Sequence, residues 1–530
     1  MKRPLFLHPF LLAIYPVLAL LSHNLDQIPL AEAIRPLALS LLLALVLFGL
    51  GFAFLRNALR AALLASLFLV LIFSYGHVYG LAEGMRLGGA LIGRHRFLAP
   101  LWGGLLLVGT LAVLRWGRRA YSLNTALNAV AVVLCLFPAM SMLSFARHAS
   151  DDMLPVSTPV APVETTSASL PSVYYIILDG YARQDILSEV FSFDNQPFLE
   201  GLQARGFQIA ERSRSNYPNT ALSLASSLNM DYLETLAGPF DPQSRDLAPL
   251  FNLIQHNRVQ QAFHEMGYAT VAFASGYRGT ELRTADRYLA PEVESTRAQS
   301  LFGDLTPFEG MLVQTSAGLL LTESNAALPP RFRLDLEAPY LAHRRRIEFA
   351  LEHIPQVDRT QGPEFVFAHL VVPHPPFVFG PHGEELQHTA AFSLSDASYR
   401  GDYQGYLQAY TDQVIFLNGR LETMLDELLA SSPTPPIILL QSDHGSGASG
   451  LSSAHGSVPY LEERFSNFIA VYAPACPGLR LDSTATPVNL FRLILRDCYG
   501  LPYELLSNRS YFSNYVRPYA LREITPELSR

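Results

Sequence analysis

Five long apolar segments dominate the first 146 residues of this 530-residue chain and constrain its fold more than any other feature. A helix needs about 20 apolar residues to cross the hydrocarbon layer of a membrane. The second, third and fifth segments meet that length, whereas the first and fourth are shorter. The first could be a signal peptide, but it lacks a small-residue cleavage site and four segments follow, which favours an anchor. The sequence therefore predicts an α-helical transmembrane domain over residues 1–148, with about five helices at 9–22, 36–55, 61–80, 98–114 and 124–146.

Basic residues near these segments predict the orientation of the bundle. A cytoplasmic N-terminus places more of them inside than outside, in line with the usual excess of Lys and Arg on the cytoplasmic side. The inside set is Lys2, Arg3, Arg56, Arg60, Arg115, Arg118 and Arg119, and the outside set is Arg35, Arg86, Arg94, Arg96 and Arg147. An odd number of spans then puts everything after residue 146 outside the cytoplasm, as a multi-pass protein of the cytoplasmic (inner) membrane. With one span fewer, the same residues would lie inside.

The remainder of the chain is typical of a globular α/β protein. Residues 149–172 are rich in Pro, Ser and Thr without periodicity, which predicts a linker. From residue 173 to 530, apolar strand-like runs alternate with helical patterns, and this alternation predicts a mostly parallel central sheet with helices on both faces. Residues 276–345 show no regular helical or strand periodicity, and we expect an insertion near the membrane or over the site.

Acidic residues end two buried strand-like runs that lie more than 260 positions apart. Val173-Tyr-Tyr-Ile-Ile-Leu is followed by Asp179-Gly, and Pro436-Ile-Ile-Leu-Leu-Gln-Ser is followed by Asp443-His444-Gly. Because ligands bind at the carboxyl ends of strands in open α/β sheets, we expect Asp179, Asp443 and His444 to meet at one rim. Two carboxylates with an imidazole suit Zn²⁺ or Mn²⁺ better than Ca²⁺. The alternative for Asp-His-Gly alone is a polar turn that ends a strand.

A hydroxyl between the two runs could serve as the nucleophile. Thr220 follows the turn Asn216-Tyr-Pro-Asn and begins a small-residue helical run. A helix N-terminus suits a phosphoryl group, since its free N–H groups and dipole favour negative charge. Thr220 could instead be only a helix N-cap. Ser223 is a weaker candidate nucleophile, and Asn216 and Asn219 could donate hydrogen bonds to phosphate oxygens.

These pieces, in this order, resemble the alkaline phosphatase/sulfatase superfamily. The early Leu-Asp-Gly, the later Thr before a helix and the Asp-His-Gly near the C-terminus carry the resemblance over roughly residues 171–515. The preceding hydrophobic helices are similar to those of the membrane-anchored phosphoethanolamine and phosphoglycerol transferases. The resemblance implies an alkaline-phosphatase-like fold for residues 173–530. It also implies one favoured metal site formed by Asp179, Thr220, Asp443 and His444, with Thr220 as the metal-activated nucleophile.

A histidine cluster adds candidates for catalysis and substrate binding. In His369-Leu-Val-Val-Pro-His374-Pro-Pro-Phe, a strand again ends at a polar residue. This segment resembles the histidine-bearing segment that contacts substrate in the membrane-anchored transferases. We therefore expect His374 to protonate the leaving alkoxide or to hold a phosphate oxygen. His369 is expected to be a core residue. His382 could contribute to substrate binding or complete a second metal site, and His455 could complete such a site as well.

The resemblance implies transfer of a phosphoethanolamine or phosphoglycerol head group from a membrane phospholipid to an envelope glycan or lipid, through a phospho-threonine. A metal-dependent phosphodiesterase or phosphatase and an inactive envelope-assembly scaffold are the alternatives. The formylglycine route of sulfatases is disfavoured, because no Cys or Ser stands in the required Cys/Ser-x-Pro-x-Arg context. A net charge of −8 argues against a nucleic-acid partner. Cys476 and Cys498 could form a disulfide or remain two reduced thiols.

Overall fold

The protein is described here from a computed structural model. The structure describes residues 4–25, 28, 30–82, 85–87, 90–91, 93–115, 119–151, 170–236, 240–292, 305–323, 329, 337–357, 362–388, 392–395, 399 and 401–528. The chain divides into two compact units. The first comprises Met1–Ser150, Glu294–Pro339 and Gln387–Phe392, and the second comprises Asp151–Val293, Tyr340–Leu386 and Ser393–Arg530.

Apolar helices form most of the first unit: α1 (His8–Ser22), α2 (Ile34–Leu55), α3 (Ala58–Ala82), α4 (His95–Arg115) and α5 (Arg119–Asp151). Among the described residues, four segments are long and apolar enough to cross a membrane, namely Leu30–Leu55, Ala58–Ala82, His95–Arg115 and Tyr121–Leu143. α1 is apolar but has only 15 residues. A bundle of apolar N-terminal helices is thus confirmed, and the number of spans stays a prediction. Residues 152–169 of the predicted linker lie outside the described residues.

Within the described ranges, the strands are mostly short and lie in three sheets. They are β1 (Arg86–Leu87), β2 (Ala90–Leu91), β3 (Val173–Leu178), β4 (Gln208–Ile209), β5 (Ala269–Phe273), β6 (Arg287–Leu289), β7 (Glu364–Leu370), β8 (Ile437–Gln441), β9 (Ile469–Tyr472), β10 (Tyr511–Asn514) and β11 (Arg517–Glu523). β1 pairs with β2, and β10 pairs with β11, each pair antiparallel. The remaining seven form the central sheet of the second unit.

The other α-helices follow in chain order. They are α6 (Gln184–Glu189), α7 (Gln196–Ala204), α8 (Thr220–Ser227), α9 (Leu233–Leu236), α10 (Ala248–Gln255), α11 (Arg258–Glu265), α12 (Pro307–Thr315), α13 (Leu319–Glu323), α14 (Ala338–His353), α15 (Tyr403–Ser431), α16 (Val458–Phe465), α17 (Pro487–Tyr499) and α18 (Thr525–Leu528).

The strand order of the central sheet is β4-β9-β8-β3-β7-β5-β6. β3 pairs in parallel with β7 on one side and β8 on the other, whereas β9 pairs antiparallel with both of its neighbours, β8 and β4. All six residues of β3 are buried, as expected for a strand covered on both faces. The mostly parallel sheet predicted from the sequence is confirmed. Because β3, β7 and β8 are parallel neighbours, the segments that follow them meet at one edge of the sheet.

The predicted insertion at residues 276–345 is divided between the two units. Its first part contributes β6 to the central sheet, whereas α12 and α13 belong to the first unit. Phe308 of α12 is fully buried in a cluster with Val17 and Leu21 of α1. Gly76 of α3 allows close packing, since a Cβ there would stand 2.1 Å from the carbonyl oxygen of Gln314. The described part of the insertion in this unit therefore packs against the apolar helices.

Cys476 and Cys498 form a disulfide, with their Cα atoms 5.1 Å apart. Cys476 follows β9, and Cys498 lies in the last turn of α17. The bond therefore connects a helix that covers the sheet to the segment that follows β9. Of the two possibilities that the sequence left open, the structure contains the paired one.

Candidate metal centre

The two acidic strand ends converge. Asp179 directly follows β3, and Asp443 comes two residues after β8, with side chains that are almost fully buried. One ligand atom from each of Asp179, Asp443 and His444 lies within 4.8 Å of the others. The His444 Nε2 atom stands 3.3 Å from Asp443 Oδ2 and 3.6 Å from Asp179 Oδ1. Residues that are 264 positions apart in the sequence thus form one cluster, as their strand ends predicted.

One oxygen of each carboxylate contacts a nitrogen of the protein, and the other oxygen is available to bind a cation. Asp443 Oδ1 accepts a 3.0 Å hydrogen bond from the Gly180 backbone, and Asp179 Oδ2 lies 3.2 Å from His369 Nε2. In the part of the chain that the structure describes, Asp179 Oδ1 and Asp443 Oδ2 have no hydrogen-bond partner. Buried carboxylate oxygens without partners are costly unless a cation binds them. The donor set therefore fits a divalent cation such as Zn²⁺ or Mn²⁺.

The tautomer of His444 is set by its neighbour in the chain. Its Nδ1 lies 2.9 Å from the carbonyl oxygen of Gly445, which can only accept, so Nδ1 carries the proton. The lone pair on Nε2 then faces the carboxylates and can bind a metal. Gly445 has a steric role, because a Cβ there would lie 2.1 Å from the backbone oxygen of Glu463. Glycine thus lets α16 approach the metal-binding strand end.

Thr220 lies beside the same imidazole. It is the first residue of α8 and is 7% exposed, and its Oγ1 stands 3.4 Å from His444 Nε2. The N-cap is Asn219, whose side chain accepts a 3.1 Å hydrogen bond from the Leu222 backbone. The alternative that Thr220 only caps the helix is therefore wrong. Its hydroxyl is left at the helix N-terminus, where the dipole favours an anion.

Two further polar residues near Thr220 have structural partners. The Ser223 hydroxyl donates a 2.6 Å hydrogen bond to the Asp443 carbonyl oxygen and so fixes α8 to the strand end. The Asn216 side chain accepts from the Val488 backbone and donates to the Arg509 carbonyl. Ser223 thus holds the position of the nucleophile candidate, and Asn216 connects distant loops.

Of the predicted histidines, the structure brings His374 to the centre. Its backbone N–H donates to the Asp179 carbonyl at 3.1 Å, and its ring centroid lies 6.3 Å from that of His444. Its Nδ1 donates to the carbonyl of Pro375, so Nε2 is the nitrogen that gains and loses a proton. His382 and His455 are exposed, and their described contacts are with Glu384 and Tyr460. A substrate-binding role for His382 therefore stays a prediction.

His369 does more than fill the core. It is buried, as expected, but its Nε2 contacts Asp179 Oδ2, and its Nδ1 lies 2.8 Å from Thr280 Oγ1. Burial by itself would raise the pKa of Asp179. The charges of His374, His369 and His444, with the hydrogen bond from His369, outweigh burial and hold that pKa well below its usual range. Asp179 therefore stays ionised and able to bind a cation.

Arg464 and Thr280 were not among the residues predicted from the sequence. Arg464 lies in α16, 20 residues beyond His444, and its guanidinium is fully buried beside that imidazole. Neither residue stands in a recognisable motif. His369 reaches Asp179 through the register of β3 and β7, which pairs it with Ile177, and this register is a property of the fold.

No protein-family model and no curated protein matches the sequence. Similar solved structures include the lipooligosaccharide phosphoethanolamine transferase A of Neisseria meningitidis, an integral membrane protein (12% identity, TM-score 0.41, covering 92% of this chain and 93% of that one). The zinc complex of the C-terminal periplasmic domain of EptC from Escherichia coli is another (12%, 0.39, covering 69% and 96%). A third is the phosphonate monoester hydrolase of Agrobacterium radiobacter (15%, 0.37, covering 65% and 80%).

These enzymes are of the kinds that the sequence resemblance names. With TM-scores below 0.5, this likeness carries no argument about the present chain. What the site can do follows from its own geometry.

Proposed function

We propose that this protein is a metal-dependent phosphotransferase that moves a phospholipid-derived head group, phosphoethanolamine or phosphoglycerol, to an envelope glycan or lipid. The observation that carries the proposal is the position of the Thr220 hydroxyl. It stands at a helix N-terminus, 3.4 Å from the imidazole of a buried Asp-Asp-His cluster with two open carboxylate oxygens. A hydroxyl needs such an environment to act as a nucleophile.

A divalent cation held by Asp179, Asp443, His444 and Thr220 would lower the pKa of the Thr220 hydroxyl and neutralise charge on the transferred group. In the first step, Thr220 Oγ1 loses its proton to solvent and attacks phosphorus. The bond from phosphorus to the diacylglycerol oxygen breaks, and the His374 imidazolium gives that oxygen its Nε2 proton. The product is a phosphodiester on Thr220 and free diacylglycerol.

The second step reverses these roles. An acceptor hydroxyl gives its proton to the neutral His374 Nε2, and its oxygen attacks the phosphorus. The bond between phosphorus and Thr220 breaks, and Thr220 regains a proton from solvent. The side-chain N–H groups of Asn219 would donate a hydrogen bond to a phosphate oxygen, a role supported by the helix cap, which uses the oxygen of that side chain.

The apolar N-terminal helices support a donor that lies in a bilayer. With five spans and a cytoplasmic N-terminus, the catalytic unit would lie on the periplasmic side of the inner membrane, where an envelope acceptor is available. The disulfide between Cys476 and Cys498 is in keeping with an oxidising compartment.

The test is release of diacylglycerol from head-group-labelled phosphatidylethanolamine and phosphatidylglycerol by purified protein, with and without Zn²⁺ or Mn²⁺. We expect metal-dependent release and label on Thr220, with Thr220→Ala reducing the rate at least about 10³-fold, as is usual for loss of a nucleophile. Ser227→Ala, in the last turn of α8, serves as the control for changes in the helix itself.

The products separate the candidate activities. Transfer of label to a glycan or lipid acceptor agrees with the transferase, whereas a free phosphomonoester would indicate the hydrolase. Release that survives Thr220→Ala would exclude Thr220 as the nucleophile. Absence of release with every metal and lipid would refute a phospholipid donor.

A further inference from the structure

Arg464 is among the largest fully buried side chains of the protein, and it lies at the candidate metal centre. It is 1% exposed, in the last turn of α16. Its backbone oxygen accepts a 2.7 Å hydrogen bond from Gly445, so the residue is fixed to the strand end that carries Asp443 and His444. An arginine keeps its charge when buried, so this position brings a permanent positive charge to the site.

The guanidinium is held next to the nucleophile candidate. Its Nε donates a 2.6 Å hydrogen bond to the carbonyl of Pro218, in the turn that leads into Thr220. Its Nη2 lies 2.6 Å from the hydroxyl of Tyr515 and 3.2 Å from His444 Nε2. Thr220 Oγ1 also stands 3.4 Å from His444 Nε2. A phosphorus atom bonded to Thr220 would therefore place its other oxygens within reach of Arg464.

The hydrogen bond from Arg464 Nη2 to His444 Nε2 uses the same lone pair that would bind a metal. His444 Nδ1 carries the proton, so Nε2 has one lone pair to offer. When a cation takes that lone pair, the Nη2 proton of Arg464 loses this acceptor. The contacts to Pro218 and Tyr515 do not involve the lone pair and would keep the guanidinium in place. Phosphoryl oxygens are then its natural new acceptors.

The charge of the site supports the same conclusion. Asp179 and Asp443 together balance one divalent cation, so a phosphoryl group would add uncompensated negative charge to a buried pocket. Arg464 supplies one further positive charge with planar, two-pronged donor geometry, which matches phosphate. The His374 imidazolium of the proposed mechanism gives up its proton in the first step, whereas Arg464 stays charged throughout.

We propose that Arg464 binds the non-bridging oxygens of the phosphoryl group at Thr220, oriented by Pro218 and by Tyr515 at the tip of the β10–β11 hairpin. This inference rests on the proposed function, because it assumes a phosphoryl group at Thr220. It assigns a permanent positive charge at the site, in addition to that of the metal, to the protein itself.

The test is calorimetric titration of the full-length, zinc-loaded protein with inorganic phosphate, together with its zinc content by mass spectrometry. For Arg464→Met we expect zinc content to be unchanged and phosphate affinity to fall about 10- to 100-fold, the value of charge-assisted hydrogen bonds. Arg492→Met is the matched control, since Arg492 also donates to backbone carbonyls, those of Met230 and Glu504, but is not at the centre.

Unchanged phosphate affinity in Arg464→Met would overturn the proposal, as would no measurable phosphate binding by the wild type. If Arg464→Met does not fold or loses zinc, the phosphate titration is done with Arg464→Lys instead. This variant keeps the positive charge but loses the planar donor pair. Weaker binding by Arg464→Lys supports the role, and wild-type binding refutes it. Phosphate affinity is read without turnover, so activity that survives Thr220→Ala would refute the proposed function while leaving this comparison valid.

Discussion

Asp179 shows how one residue can serve two purposes at the candidate centre. Its Oδ1 is open toward His444, whereas its Oδ2 contacts His369. His369 is itself oriented by Thr280 through its other ring nitrogen. Outer residues of this kind fix the direction of a metal ligand and raise metal affinity. His369 is thus a positioning residue for Asp179.

Replacement of His369 by alanine should weaken metal binding without unfolding the catalytic unit. We expect the zinc dissociation constant, measured by chelator competition, to rise about 10- to 100-fold. Thr280→Val should give a smaller rise, because it removes only the partner of His369. His353→Ala, at the end of α14, should leave the constant unchanged. Wild-type affinity in His369→Ala would show that Asp179 needs no such support.

At the scale of elements, short helices bring charges and hydroxyls to the sheet edge. The eight-residue α8 presents Thr220, and Ser223 one turn later bonds to the strand that carries Asp443. α16 brings Arg464 to the same edge, and the absence of a side chain at Gly445 permits that approach. α14 adds a fully buried histidine, His343.

His343 should make the stability of the catalytic unit depend on pH. Burial, with the nearby charges of Arg346 and His374, lowers its pKa from 6.5 to about 3. Between those pH values His343 binds a proton in the unfolded chain but not in the folded chain. Its contribution to the free energy of unfolding is therefore complete above pH 6.5 and declines as the pH falls. The free energy of unfolding should drop by about 2 kcal/mol from pH 7 to pH 5 through this residue.

The check is the thermal midpoint at pH 7 and pH 5, with a chelator present so that metal release does not contribute. His343→Leu should show a smaller decrease between the two pH values than the wild type. His353→Leu, on the same helix, should show the wild-type decrease. An equal decrease in all three proteins would mean that His343 is not kept neutral by burial.

At the scale of the whole molecule, the two units are interleaved along the chain, which passes from one to the other five times. The segment with α12 and α13 interrupts the sequence of the second unit and buries Phe308 among N-terminal helices. The units are therefore not successive blocks of sequence. The disulfide, in contrast, lies wholly within the second unit.

Loss of the disulfide should destabilise the catalytic unit. It joins residues 22 positions apart, and closing a loop of that size stabilises a fold by about 3 kcal/mol. We expect the double variant Cys476→Ser, Cys498→Ser to unfold at a lower temperature than the wild type in the same detergent. A reducing agent should lower the wild-type midpoint but not that of the variant. Equal midpoints without reductant would contradict a stabilising bond.

The position of Thr220 beside the cluster was implied by the family resemblance. The sequence by itself determined the apolar N-terminal helices, the mostly parallel sheet and the convergence of Asp179, Asp443 and His444. These features follow from local patterns: apolar length defines a possible membrane helix, and parallel strands bring their carboxyl ends to one edge. The sequence alone could not settle whether Cys476 and Cys498 pair.

Tertiary structure decided the contacts that have no local pattern. Arg464 reaches His444 because α16 packs against Gly445, and His369 reaches Asp179 because β7 pairs with β3 in one register. Asn219 caps the N-terminus of α8, so the Thr220 hydroxyl is not used as the cap and lies at the candidate metal centre. Such contacts depend on packing and register between distant segments, and single-sequence periodicity does not encode them.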